Sequence, residues 1–355
     1  MASDATRTMA EPQAPAVDPD AHGRPKRRAR AGLYLAGVLL TLVLAFGAHM
    51  RLDGILACPA AYDGGARYLG YCQGEAYGDY DHGAVWFGLE PGVREAAAAA
   101  DVLFLGNSRL QFGFSGPVLQ AWFQDPAGGA GAKPYLLGFS HNETVGFAAP
   151  LVAQLQPRAR AYVINVDKFF FDPPSPPAEE VMRGGDSRGR YLNKQAWQRV
   201  HAALCGPWPG LCGSEIAFVR SRADGEWILV GTRGLTGAPV TAETDGPGAR
   251  VSERADDAAI GRARAFLDDL AARGVPEDCV ILTYVPSTEN NRATAEHIAA
   301  GLRMPLVAPS GIGLTTFDDS HLDPASADSF MDGFFAEAGG RIRGCLGLPG
   351  GAASQ

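Results

Sequence analysis

The stretch from Ala31 to Met50 constrains this chain more than any other. No side chain in it is charged except the titratable His49, and LYLAGVLLTLVLAFGA is apolar almost throughout until Arg51 closes the run. At about 1.5 Å rise per residue, such a run spans a hydrocarbon core about 30 Å thick. A buried core helix would satisfy the composition equally well. It would not explain why Arg24, Lys26, Arg27, Arg28 and Arg30 crowd immediately upstream. Basic residues stay on the cytoplasmic side of a span, so the N-terminus is expected inside and residues 51–355 outside. A cleaved signal peptide competes with this reading. Against it, the preceding tail is long for an n-region, and Phe46-Gly47-Ala48 lacks a small residue at the −3 position. The expectation is a single-pass anchor at 31–50 in the cytoplasmic (inner) membrane. Residues 1–30 then form a disordered Pro- and Ala-rich cytoplasmic tail, and the remainder is extracytoplasmic or periplasmic.

That division changes the meaning of the composition. The formal net charge of −8 combines a basic flank with an outer part in which 25 basic residues face 35 acidic ones. An acidic outer domain argues against nucleic acid as a partner. All six cysteines (Cys58, Cys72, Cys205, Cys212, Cys279, Cys345) follow the span, an even number on the oxidising side. Local closure pairs Cys58 with Cys72 and Cys205 with Cys212, leaving Cys279 for Cys345. This is one of about 15 connectivities that six cysteines allow. Neither CxxC nor CxxH occurs, so no metal site is expected.

Residues 51–100 read as an irregular lead-in that closes with the helix-forming GVREAAAAA. A β/α alternation follows, with strands at 101–106, 134–139, 160–167, 279–285 and 304–309. The intervening helices lie at 117–123, 147–157, 254–273, 294–303 and 325–339. Asp323-Pro324 provides an N-cap and first-turn pair for the last of these. Nearly continuous apolar strands alternating with helices predict an α/β fold, a three-layer parallel sheet covered on both faces. The stretch 172–250 interrupts the pattern as an insertion over the sheet edge. It contains one helix (NKQAWQRVHAAL) and a hairpin in EWILVGTRG.

In a parallel α/β sheet the ligand crevice lies at the carboxyl ends of the strands. Four clusters fall there: Asn107-Ser108-Arg109, Gly138 to Asn142, Asn165 to Lys168, and Asp318 to Asp323. A serine hydroxyl becomes nucleophilic only beside a base that is itself oriented by an acid. Ser108 supplies the hydroxyl, and His321 with Asp318 three residues earlier supplies the pair. Arg109 is a candidate for binding a substrate carboxylate or phosphate, with a structural ion pair as the alternative.

DVLFLGNSRLQFGFSG and FDDSHLDPASADSF resemble the first and last sequence blocks of the SGNH (GDSL-type) hydrolase superfamily, over roughly residues 100–340. The resemblance implies a flavodoxin-like SGNH-hydrolase architecture with Ser108 as nucleophile, His321 as general base and acid, and Asp318 as its orienter. It requires no cofactor. The family's oxyanion hole uses the serine N–H, a glycine N–H and an asparagine side chain, and Gly138 matches the glycine block. The asparagine block departs from the pattern: the chain reads INVDKFFF, with Asp167 at the expected junction. The third donor would then come from Asn107, Asn142 or Lys168. Asn107 also stands where the common form of the first block has Asp. The activity implied is a membrane-anchored serine esterase or O-acyltransferase acting on an acylated glycan or other envelope polymer, working with envelope polysaccharide machinery. The alternative is a non-catalytic SGNH-like binding or scaffold subunit of such a complex.

Overall fold

The computed structural model describes residues 25–52, 54–60, 65–73, 78–171, 173–231, 237–240, 253–289 and 291–349. The chain forms two units, Met1–His49 and Met50–Gln355.

In the first unit, helix α1 (Pro25–Leu52) begins within the stretch expected to be tail, because Lys and Arg propagate a helix well. The rest of that tail, 1–24, lies outside the described residues. Among those described, Ala31–Leu52 is the one segment long and apolar enough to cross a membrane, and Leu33, Leu39, Val43 and Phe46 are exposed on it. Its length and composition suit a membrane anchor or a signal sequence.

The second unit is a mixed α/β body. It opens with β1 (Arg67–Cys72), β2 (Gly78–Asp79), α2 (Tyr80–Trp86) and α3 (Val93–Ala98). The alternating region follows: β3 (Val102–Asn107), α4 (Ser108–Gly113), α5 (Gly116–Gln124), β4 (Pro134–Phe139), α6 (Val145–Leu155) and β5 (Ala161–Asn165). The interruption holds α7 (Pro176–Met182), α8 (Ser187–Cys205), β6 (Ala217–Ser221), β7 (Trp227–Val230) and β8 (Ala238–Pro239). Then come α9 (Glu253–Ala272), β9 (Val280–Thr283), α10 (Arg292–Leu302), β10 (Leu306–Val307), β11 (Thr315–Thr316) and α11 (Pro324–Cys345). Asp323 caps α11 as expected, its carboxylate accepting from the Ser326 N–H at 2.8 Å.

Five strands form one parallel sheet in the order β10-β9-β5-β3-β4. Successive residues of each strand feed two separate cores, which is why the strands read as unbroken apolar runs. Leu103, Leu105, Leu137, Ile164 and Leu282 face α3, α6, α9 and α10. Val102, Phe104, Leu136, Val163 and Ile281 face α4, α5 and α11. Each such side chain, fully buried, contributes about 1.5–3 kcal/mol.

The segments expected to be irregular build a second sheet. β1 from the lead-in pairs antiparallel with β6 from the insertion, giving the order β2-β1-β6-β7. RYLGYC carries Gly70 and no clean alternation, and its partner lies far along the chain, so nothing local marks it as a strand. The expected hairpin is also displaced: β7 turns back on β6, upstream, and residues 232–236 lie outside the described set.

This second sheet seals the edge strand β4. An exposed edge presents unpaired backbone groups. Here the Leu136 N–H donates to the Asp224 carbonyl at 2.7 Å. The Leu136 and Gly138 carbonyls accept from Arg220 at 2.5 and 3.2 Å and from Gln111 at 3.3 and 3.0 Å. Arg220 is fully buried and paired with Asp81 at 2.5 Å, which also accepts from the Tyr68 hydroxyl.

All three expected disulfides form: Cys58–Cys72, Cys205–Cys212 and Cys279–Cys345. Three disulfides suit a unit that folds in an oxidising, extracytoplasmic setting. The last bridge closes 66 residues and ties the end of α11 to the start of β9. Loop-closure entropy gives it about 4 kcal/mol. Replacing both Cys279 and Cys345 with Ala is expected to lower the unfolding free energy by about that amount in urea denaturation, with an unchanged midpoint counting against the bridge as a stabilising link.

Candidate active site

Ser108 sits where β3 turns directly into α4, one residue later than the sequence pattern placed the strand's end. Asn107 caps the helix: its side-chain oxygen accepts from the Arg109 N–H at 3.0 Å while its amide donates to the Asp167 carbonyl at 3.1 Å. An aspartate could make the first bond but not the second, which gives Asn107 a physical reason at this position. Fully buried, it is held at both ends, with one of its two amide N–H donors spent on the Asp167 carbonyl.

The opposite wall is the loop leading into α11. Thr316 bridges to Leu322, and the Phe317 N–H donates to the His321 carbonyl at 2.9 Å, so the loop folds back on itself. Asp318 accepts from the Ser320 and His321 N–H groups at 3.1 and 2.9 Å. The same carboxylate meets His321 Nδ1 at 2.7 and 3.0 Å. Burial alone would raise the Asp318 pKa, but the His321 ring and these N–H groups outweigh it and hold the carboxyl below its usual range. An ionised Asp318 can only accept, so His321 carries its proton on Nδ1 and presents the lone pair of Nε2. That lone pair faces the Ser108 Oγ at 2.7 Å. Phe112 stands edge-on to the imidazole at 5.0 Å and Phe317 stacks on it at 5.5 Å, which fixes the ring plane. The arrangement is a hydroxyl, base and acid in hydrogen-bonded series, able to move a proton from Ser108 to His321.

No family model, curated protein or solved structure matches the chain. The site therefore stands on its geometry.

Other expected site residues fall in different places. Gly138 lies inside β4, opposite Gly106, rather than after the strand. A Cβ there would come within 2.7 Å of the Asn107 carbonyl and 2.8 Å of Gln111 Cγ, so the glycine permits close packing. For Arg109 the structure shows the ion pair that stands as the alternative to substrate binding. At 2% exposure it is a buried cation, bonded to Asp167 at 2.5 Å, Glu289 at 2.7 Å and Ser320 Oγ at 3.3 Å. Burial would lower its pKa, but Asp167 and Glu289 reverse the direction and hold it raised. Asp167 does occupy the junction after β5, accepting from Arg109 and from the Asn291 amide at 2.9 Å. Lys168 bonds Glu289 at 2.7 Å. Asn142 is exposed and makes no hydrogen bond among the described residues.

Sequence reasoning missed Glu289 and Asn291, and gave Ser320, inside the Asp318–Asp323 cluster, no role. Glu289 and Asn291 follow β9 in PSTENN, a strand end of the kind searched elsewhere, so the signal was present. Asp79, which accepts from Ser140 Oγ at 2.5 Å and meets His141 Nε2 at 2.6 Å, lies in the lead-in and carried none. Among the described residues, only His201, Cys205 and Cys212 lie close enough to share a metal, and both thiols are in a disulfide.

Lys168 and Arg109 hold the Glu289 carboxyl down to about 2. A folded-state value below the unfolded one, about 4.3, adds stability above that pH, which is lost as pH falls through about 2. Glu289→Gln is expected to flatten the decline of stability between about pH 4.5 and 2 in acid titrations followed by circular dichroism.

Proposed function

We propose that this protein is a membrane-anchored, extracytoplasmic serine esterase or O-acyltransferase built as an SGNH-type, flavodoxin-like domain. The observation that carries the reading is the 2.7 Å contact between Ser108 Oγ and His321 Nε2, with Asp318 behind the imidazole. The parallel order agrees with it: numbered by sequence, the five strands run 2-1-3-4-5 from β4 to β10, the flavodoxin-like arrangement, with Ser108 at the switch-point strand.

Ser108 attacks the carbonyl carbon of an ester as its proton passes to His321 Nε2. Asp318 steadies the imidazolium by accepting from Nδ1. His321 then delivers that proton to the departing alcohol oxygen, leaving the acyl group on Ser108. In the second half, water or an acceptor hydroxyl gives its proton to His321 and takes the acyl group, and the proton returns to Ser108 Oγ. A tethered enzyme suits an acylated envelope polymer, which does not diffuse away.

A second reading, a non-catalytic SGNH-like binding or scaffold subunit of an envelope polysaccharide complex, is favoured by one observation. Asp167, at the junction where the asparagine donor is expected, is a carboxylate that accepts from Arg109 and Asn291, and a missing oxyanion donor costs about 3–4 kcal/mol of barrier lowering. Fluorophosphonate labelling separates the two. The detergent-solubilised full chain is expected to label at Ser108, and Ser108→Ala is expected to abolish labelling and reduce ester turnover about 10⁴-fold with near-ultraviolet circular dichroism unchanged. Labelling that survives the substitution removes Ser108 as nucleophile, and a wild-type chain that never labels leaves the scaffold reading.

A further inference from the structure

A cavity of about 430 Å³ opens at the carboxyl ends of β4, β5 and β9, and no step of the acyl transfer uses it. It lies within the volume typical of small-molecule pockets. Its floor is apolar, with Val166, Phe171 and the proline run Pro173, Pro174 and Pro176. It adjoins the serine corner in two ways. Asp167 lines the cavity and bonds Arg109, the residue after Ser108. On the other side Phe139 pairs with Asn107 in the parallel ladder, so His141 of the cavity lining lies two residues beyond the strand position opposite Asn107, the neighbour of Ser108.

The charges facing the cavity are unequal. Among the described residues its lining holds three titratable side chains, His141, Asp167 and Lys168. The Asp167 carboxylate is buried, with one oxygen on Arg109 and the other on Asn291. The two cations are the accessible ones. Lys168 spends one of its three donors on Glu289. His141 is fixed through Nε2 by Asp79, and its Nδ1 meets no hydrogen-bond partner among the described residues. Glu289 and Asp79, which pair with these cations, are not among the residues that line the cavity. The backbone is strained at the same place: His141, Asn142 and Lys168 adopt φ of 60°, 52° and 54°, a conformation that side chains with a Cβ rarely take. Such strain, about 1 kcal/mol or more per residue, gathers at ligand sites.

We propose that this cavity is a substrate-binding subsite in which His141 and Lys168 grip an acidic group, a carboxylate or a phosphate, on the polymer unit whose ester Ser108 attacks. The assignment rests on the acyl-transfer reading for its role in turnover, while binding itself does not. The imidazolium donates Nδ1–H to one anionic oxygen and Lys168 donates to another, with the sugar ring or chain over the Phe171 and proline floor. Asp79 acts as the positioning residue that holds His141 in place. The Asp79 bond overcomes burial to raise the His141 pKa, with Glu143 contributing in the same direction, which favours the cation near neutrality. Tyr71 is the further titratable ring against His141, at 6.5 Å between centroids, and its own pKa is raised by burial, so it stays neutral there.

The test is calorimetric binding to full-chain Ser108→Ala protein in detergent, where turnover plays no part. Trigalacturonate, a glycerol-phosphate trimer and neutral maltotriose are the three probes. Binding of either acidic probe at least tenfold tighter than maltotriose is expected, and which of the two binds identifies carboxylate or phosphate as the group. Added to Ser108→Ala, His141→Ala and Lys168→Ala are each expected to weaken that binding about tenfold or more, and the affinity of the Ser108→Ala protein to fall as pH rises through the His141 transition, a dependence lost when His141 is also replaced. If either alanine variant misfolds by circular dichroism, His141→Gln and Lys168→Met carry the same comparison. Equal affinity for maltotriose, or acidic binding indifferent to both substitutions, overturns the subsite. Because the fluorophosphonate result is read on the wild type and this one on Ser108→Ala, failure of either leaves the other legible.

Discussion

A guanidinium without water around it must find its anions inside the protein. Arg109 is that guanidinium, and because it follows Ser108 directly, its needs dictate how the strand ends converge. Asp167 comes from the end of β5, Glu289 from the segment after β9, and Ser320 from the loop next to His321. Asn107 closes the remaining side by bonding the Asp167 carbonyl. One buried charge thus ties the serine corner to two neighbouring strand ends and to the histidine loop. The 2.7 Å approach of Ser108 to His321 combines that tie with the local bonds that fold the histidine loop.

Arg220 plays a comparable part at the sheet edge. Buried and paired with Asp81, it reaches across to the outward carbonyls of β4, where a lone edge strand would otherwise lie open. The antiparallel sheet that carries it also sets Phe218 and Trp227 against Phe112, and Phe112 against His321. The lead-in and insertion therefore do more than cover a surface. They complete the backbone hydrogen bonding of β4 and supply the aromatic wall that holds the base.

What the sequence disclosed follows from the range of the forces involved. The five parallel strands and their helices were legible because each buries a continuous apolar run or a 3.6-residue stripe, patterns written within a few residues. Ser108, Asp318 and His321 were legible because strand ends and the three-residue spacing of Asp318 and His321 are local too. The antiparallel sheet was not, since RYLGYC acquires its meaning only from Ala217–Ser221. The sequence leaves Arg109 open between a ligand for substrate and a structural ion pair because an arginine's burial cannot be read from its neighbours in sequence. Gly138 looked like a donor because its place within β4 depends on where pairing stops, which Gln111 and Arg220 decide from outside the strand.

The Ser108–His321 pair is separated by 213 positions, and the bridge that fastens α11 is closed by a cysteine only ten residues from the end of the sequence. A chain emerging in order presents its hydroxyl long before its imidazole. Throughout that interval Ser108 is an ordinary alcohol, as inert as any surface serine. The contact, and with it any reactivity the proposed acyl transfer would draw from it, forms only when the final segment docks, so a chain stalled before His321 holds the hydroxyl without its base.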